Sequence, residues 1–247
     1  MNLWCLHGAV GMAADWNDLS GRMAALGHTV HALDLWSYLD HGECDFEEFA
    51  RRICEEARRE DSPPALIGYS LGGRLALHAL LEDSRVWGGA MIVSAHPGLQ
   101  NEDERLLRLS NDREWADKAL AASWSEFLAE WESQGILQGV CMASLADRAQ
   151  LEVRREAVAR GFTAWSLGRQ ADLTPLLETV ERPVIWLSGL RDQKFKNLAD
   201  RVWPQMPDSY QLGPLAAGHR VPWEAPDDFA DCVEHLIDTL AHKKGRG

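Results

Sequence analysis

The chain has 247 residues, 46% of them hydrophobic, with 38 acidic against 25 basic side chains and a formal net charge of −13. That length suits one large domain, or a domain with an insertion, with a sizeable core, and the acidic balance disfavours a nucleic-acid partner on electrostatic grounds. No stretch approaches the roughly 20 apolar residues needed to span a bilayer, so no membrane insertion is expected.

The first segment, "LWCLHG", predicts a strand that ends in a His7–Gly8 turn, and it follows no basic or cleavable leader pattern. "WNDLSGRMAAL" has helical spacing, and "HTVHALDL" predicts a second strand, after which Asp34 leads into "LWSYLDHG". "DFEEFARRICEEARRE" predicts a helix with Phe46, Phe49, Ile53 and Ala57 on one face. A strand at Ala65–Gly68, a helix from Leu71 and a strand in "GGAMIVSAHPG" follow. This alternation predicts a mostly parallel α/β sheet with helices on both faces.

From Leu99 to about Leu177 the strand signal disappears. "NEDERLLRLSNDREWADKALAA", "SWSEFLAEWES" and "LADRAQLEVRREAVARGFTAWSLGRQ" all have helical period and charge. Strands resume at "PVIWLSG" and "SYQLGP", and the chain closes on the helix "PDDFADCVEHLIDTLAHK". The expected organisation is a core from residues 1–98 and 178–247 with a helical lid, 99–177, inserted between strands. Trp115, Trp124, Trp131 and Trp165 fall in that insertion, where they line an apolar cavity or pack a small core.

Five widely spaced cysteines (Cys5, Cys44, Cys54, Cys141 and Cys232) form no CxxC pair, which fits reduced thiols and a cytoplasmic location. There is no HExxH, no Cys/His cluster, no aspartate-rich loop and no glycine-rich phosphate cradle, so neither a metal nor another cofactor is expected.

The pattern Gly68-Tyr69-Ser70-Leu71-Gly72 lies between a predicted strand and a predicted helix. A nucleophile elbow requires that context: serine in a strained turn, with glycines where neighbouring elements come close. A serine hydroxyl needs a histidine to take its proton and a carboxylate to orient that histidine. In the chain order that accompanies an elbow, Asp192 follows the strand in "PVIWLSGLRDQKF", and His219 lies in the loop "LAAGHRVPWEAP". Asp172 is a rival acid, and His96 borders the same sheet edge. The backbone N–H groups of Leu71 and Ala9 are the expected oxyanion donors. Arg74 lies one turn beyond Ser70 on the same helix side, where it either reaches back to a carboxylate at the pocket mouth or pairs with an acid on the surface.

With "LHG", "GYSLGG", "RD" and "AGH" in place, the sequence resembles the α/β-hydrolase superfamily and its fold. "GYSLGGRLAL", "HPGLQNEDERLLRLSNDREWADKAL", "EFLAEW" and "SGLRDQKF" resemble the 2-succinyl-6-hydroxy-2,4-cyclohexadiene-1-carboxylate synthases of menaquinone biosynthesis. That resemblance implies a lyase that uses the triad to abstract a substrate proton and eliminate pyruvate. It also implies a small polycarboxylate substrate held by Arg74 and Arg108, in a pocket shaped by Tyr69 and Trp131. The loop after Asp34 departs from the family's "D-x-P-G-H-G" turn, which bears on substrate shape. A carboxylic-ester or thioester hydrolase working through a Ser70 acyl-enzyme needs the same triad and remains the alternative. The oligomeric state is not legible.

Overall fold

The computed structural model describes residues 1–42, 44–137 and 145–244. Six strands, β1 (Asn2–Leu6), β2 (Thr29–Leu33), β3 (Ala65–Tyr69), β4 (Gly89–Val93), β5 (Val184–Gly189) and β6 (Ser209–Leu215), form one sheet in the order β2-β1-β3-β4-β5-β6. Every pairing is parallel. The fold is that of an α/β hydrolase. The central strands β3, β4 and β5 are buried along their whole length, as expected of parallel strands covered on both faces. The edge strands β2 and β6 are only partly covered.

Helices α1 (Asn17–Ala25), α2 (Phe46–Ala57) and α3 (Leu71–Asp83) make the early crossovers and α8 (Gln193–Val202) the last one, while α9 (Val221–Glu224) and α10 (Pro226–Lys244) follow β6. Two apolar cores result, one on each sheet face. One gathers Phe46, Phe49, Ile53, Leu75, Ile92 and Trp186, the other Trp16, Met23, Ile67, Val93, Ile185 and Phe229. α2 buries the predicted face, and Asp45 caps it by accepting the Glu48 N–H at 2.8 Å.

Between β4 and β5 lie α4 (Glu102–Ala121), α5 (Trp124–Glu132), α6 (Leu145–Arg148) and α7 (Arg155–Ala164). Ser123 and Glu126 form a capping box at the start of α5. Residues 145–170, which read as one helical run, are broken instead. A 3₁₀ turn at Ala149–Arg154 separates α6 from α7, and helix ends at Ala164. The break brings Gly168 against the Arg105 carbonyl of α4, where a Cβ leaves no room. Trp115, Phe127, Trp131 and Phe162 form an aromatic cluster within this segment. Cys5, Cys44, Cys54 and Cys232 are free and buried; Cys141 lies outside the described residues. Among the described residues no helix is long and apolar enough to cross a membrane, and no group of side chains is arranged to hold a metal.

Candidate active site

Ser70 joins β3 to α3 with φ +53°, a left-handed conformation that a side chain rarely adopts. The two glycines of the motif make room for it. A Cβ on Gly68 would strike the Gly72 carbonyl, and one on Gly72 would strike the carbonyls of Leu6 and His7. The Ser70 N–H donates to Val93 O at 2.9 Å, fixing the turn against β4, and Ser70 O accepts the Arg74 N–H at 3.1 Å to start the helix.

Asp192 leaves β5 and caps α8, accepting the Phe195 N–H through Oδ1 at 3.3 Å. Its Oδ2 lies 2.6 Å from His219 Nδ1, and His219 Nε2 lies 3.2 Å from Ser70 Oγ. An ionised carboxylate only accepts, so Nδ1 carries the proton and the Nε2 lone pair is turned to the serine hydroxyl. Both residues are buried, with Phe195 and Tyr69 packed beside the imidazole at 4.7 and 5.5 Å between ring centres. The rival Asp172 instead accepts from Gln100 and from the Thr174 N–H.

Glu224 on α9, which the sequence reading passed over, brackets the histidine. Its carboxylate accepts the N–H of Gly218 at 2.8 Å and of Arg220 at 3.2 Å, on either side of His219. An acid between two prolines, in "VPWEAP", carries no sequence signal that it will fold back on the preceding loop.

On the β1 side, buried His7 organises the loop that holds Ala9. Its Nε2 accepts the Leu35 N–H at 3.2 Å, so its Nδ1 donates to Gly8 O at 2.9 Å. Burial lowers its pKa and keeps the ring neutral. Val10 follows at φ +53°, and its carbonyl accepts from Arg148 at 2.6 Å. Arg148 also pairs with buried Asp15 at 3.1 Å. A second pair crosses in the opposite sense, from Arg220 beside the histidine to Glu132 on α5 at 2.5 Å. The altered loop after Asp34 is a 3₁₀ turn, Leu35–Leu39, whose Trp36 Nε1 donates to Gly11 O at 2.8 Å.

Ser70 and His219 open onto a cavity of about 130 Å³, also lined by Ala9, Tyr69, Leu71, Arg74, Ser94, His96, Arg108 and Trp131. The predicted residues that border a cavity therefore meet at one place. Leu71 is the first residue of α3, so its N–H has no intrahelical acceptor. A larger hollow of about 300 Å³, between Trp16, Arg22, Pro222 and Phe229, holds no member of the Ser–His–Asp set. Chemistry rather than volume selects the smaller one.

Arg74 is buried and reaches two neutral acceptors, Trp165 O at 2.8 Å and Gln170 Oε1 at 3.3 Å. Burial, and then the like charge of Arg108, push its pKa down to about 9. No carboxylate pairs with it among the described residues. Arg108, by contrast, donates through Nε to both oxygens of Asp112, at 2.8 and 2.9 Å. Trp131 faces the cavity from α5 while packing edge-on against Trp115 at 5.0 Å.

Residues 5–232 match the family described as the alpha/beta hydrolase family. A 2-succinyl-6-hydroxy-2,4-cyclohexadiene-1-carboxylate synthase of Photorhabdus laumondii is 32% identical over 243 residues, covering 94% of this chain and 84% of the relative. The synthase of Serratia proteamaculans is 31% identical over 249 residues, covering 95% and 92%. Among solved structures, MenH from S. aureus superposes with a TM-score of 0.86 at 22% identity, covering 98% of this chain and 94% of that one. A thermophilic esterase from Thermogutta terrifontis superposes with a TM-score of 0.77 at 18% identity, covering 97% and 90%.

Proposed function

The chain belongs to the alpha/beta hydrolase family, and within it we propose that the protein is a lyase that forms 2-succinyl-6-hydroxy-2,4-cyclohexadiene-1-carboxylate by eliminating pyruvate. Residues 99–177 then act as the lid over the reaction. Ser70, His219 and Asp192 serve as the base system. The Ser70 proton passes to His219 Nε2, Asp192 stabilises the resulting imidazolium, and the serine oxygen takes a proton from the substrate carbon. The electron pair left on carbon forms the new double bond and breaks the carbon–oxygen bond to the enolpyruvyl group. That group departs as an enolate and takes up the proton held by His219, which gives pyruvate and returns the imidazole to its neutral form. The N–H groups of Ala9 and Leu71 steady the negative charge that develops, and Arg74 and Arg108 hold substrate carboxylates.

The observation that carries this reading is Arg74. A buried guanidinium paired only with neutral acceptors, in the same cavity as Ser70, is poised for an anion from outside the chain. A neutral ester offers that cation no charged partner. Release of pyruvate from precursor generated in place by the preceding menaquinone enzyme tests the proposal. Rapid, Ser70-dependent release supports it. No acceleration, together with turnover of p-nitrophenyl esters, favours the serine hydrolase.

A further inference from the structure

Among the described residues three non-glycine residues have positive φ, namely Val10, Ser70 and Ser94, and each follows a neighbouring strand of the sheet at its carboxyl end. The first two belong to the machinery described above. Ser94, at φ +47°, has no role in it. Its N–H donates to Leu187 O at 2.9 Å, which holds the turn, and the residue is 2% exposed. Among the described residues its Oγ has no hydrogen-bond partner, yet Ser94 lines the cavity that holds Ser70. Ser188 on β5 also has an unpartnered hydroxyl but lines no described cavity, so burial alone does not single out Ser94. A buried hydroxyl without a partner is unfavourable unless something else satisfies it, and strained turns persist where function needs them.

Two residues on, His96 lines the same cavity. The Gly98 N–H donates to its Nδ1 at 3.1 Å, so that nitrogen holds a lone pair and the neutral ring carries its proton on Nε2. Burial, then the cations of Lys194, Arg74, Arg108 and Arg201, push its pKa down to about 4. At neutral pH His96 is therefore uncharged, its basic nitrogen is taken by the Gly98 N–H, and its Nε2–H is a hydrogen-bond donor. Its carbonyl accepts from Gln170 Nε2 at 3.0 Å, and Gln170 Oε1 takes Arg74, which ties this turn to the buried guanidinium.

We propose that Ser94 Oγ and His96 Nε2 form a pair of uncharged donors that binds one oxygen of the substrate, a carbonyl or carboxylate oxygen, on the β4 side of Ser70. The sheet order places this pair on the opposite side of β3 from the loop that carries Ala9, so a bound molecule is held from both flanks of the reacting serine. The inference rests on this cavity being the active site, as proposed above, but not on pyruvate elimination.

Isothermal titration with 2-oxoglutarate, a small keto-dicarboxylate, tests it on the purified full chain. Wild-type protein is expected to bind it, and Ser94→Ala and His96→Phe are each expected to weaken binding about tenfold, the loss of one hydrogen bond to an anionic acceptor. Unchanged affinity in Ser94→Ala, or no binding by the wild type, overturns the proposal. Ser94→Ala removes a single oxygen and leaves the backbone as it was, so it decides the matter if His96→Phe does not fold. The pyruvate assay separates the two readings. Wild-type binding lost in the variants without pyruvate release keeps the donor pair and removes the synthase. Pyruvate release with unchanged binding in Ser94→Ala does the reverse.

Discussion

Arg74 donates to the backbone carbonyl of Trp165 across 91 residues of sequence, so the helix that begins at the candidate nucleophile is fastened to the segment inserted between β4 and β5. That hydrogen bond uses one nitrogen and leaves the rest of the fork for a ligand. Arg74→Ala is therefore expected to raise KM for an anionic substrate about tenfold to a hundredfold and to change turnover of a neutral p-nitrophenyl ester by less than about twofold. Steady-state kinetics on both substrates checks this; equal losses on the two would count against a carboxylate clamp.

Asp192 holds His219 in the tautomer that can accept the Ser70 proton. Asp192→Asn offers a donor or a neutral acceptor in its place, and the rate is expected to fall by about a thousandfold or more while KM stays close to its original value. Ser70→Ala is expected to abolish turnover with an unchanged circular dichroism spectrum. Activity retained in either variant would take the residue out of the mechanism.

Glu224, on α9, braces the loop that carries His219. Its two backbone contacts fix the histidine's height above the serine, so Glu224→Ala is expected to lower kcat about tenfold or more at little cost in KM. Glu224→Gln keeps an acceptor for the Gly218 N–H and is expected to recover part of that loss. A merely structural role would lower the amount of folded enzyme and leave kcat per folded molecule unchanged.

Two glycines in helices have opposite expectations. Gly72→Ala drives a methyl into the Leu6 carbonyl and forces β1 and α3 apart, a cost of about 3 kcal/mol or failure to fold. Gly21, exposed on α1, has nothing within 4 Å of a built Cβ, and Gly21→Ala is expected to stabilise by about 0.5–1 kcal/mol. Urea denaturation of both variants distinguishes close approach from mere flexibility.

His78, in the middle of α3, is stacked on Phe46 at 4.4 Å between ring centres. Burial, then the neighbouring Arg74, push its pKa down from the ordinary 6.5 to about 4. The unfolded chain thus takes up a proton below pH 6.5 that the folded protein refuses until about pH 4, so stability falls as pH drops through that window. The expected loss from this residue between pH 7 and pH 5 is about 2 kcal/mol. Denaturation of wild type and His78→Phe at the two pH values checks it; the variant should lose less on acidification by about that amount.

The central strands β3, β4 and β5 are legible because each is a short apolar run ended by glycine, proline or a polar turn, and parallel strands buried on both faces need no alternation. β6 is harder to read. It lies at the sheet edge, only partly covered, and "SYQLGPL" contains a glycine and a proline. The run over residues 145–170 has helical period, yet α7 ends at Ala164, because Gly168 must come against α4, a demand of packing that no local pattern expresses. The order of Ser70, Asp192 and His219 along the chain could be read because the elbow sets it. The pairings of Arg148 with Asp15 and of Arg220 with Glu132 could not, since residues 133 and 88 positions apart show no signature of their partnership. Nor does anything in "IVSAHPG" announce that Ser94 turns left-handed.

Trp131 stands with one side against the cavity and the other against Trp115 and Phe162. An indole so placed is an optical probe already installed in the protein. Displacing solvent from the cavity changes the polarity around Trp131, and with it the wavelength and yield of emission. Occupancy of the site can thus be followed by fluorescence without chemistry taking place, with Trp131→Phe supplying the dark reference against the remaining tryptophans.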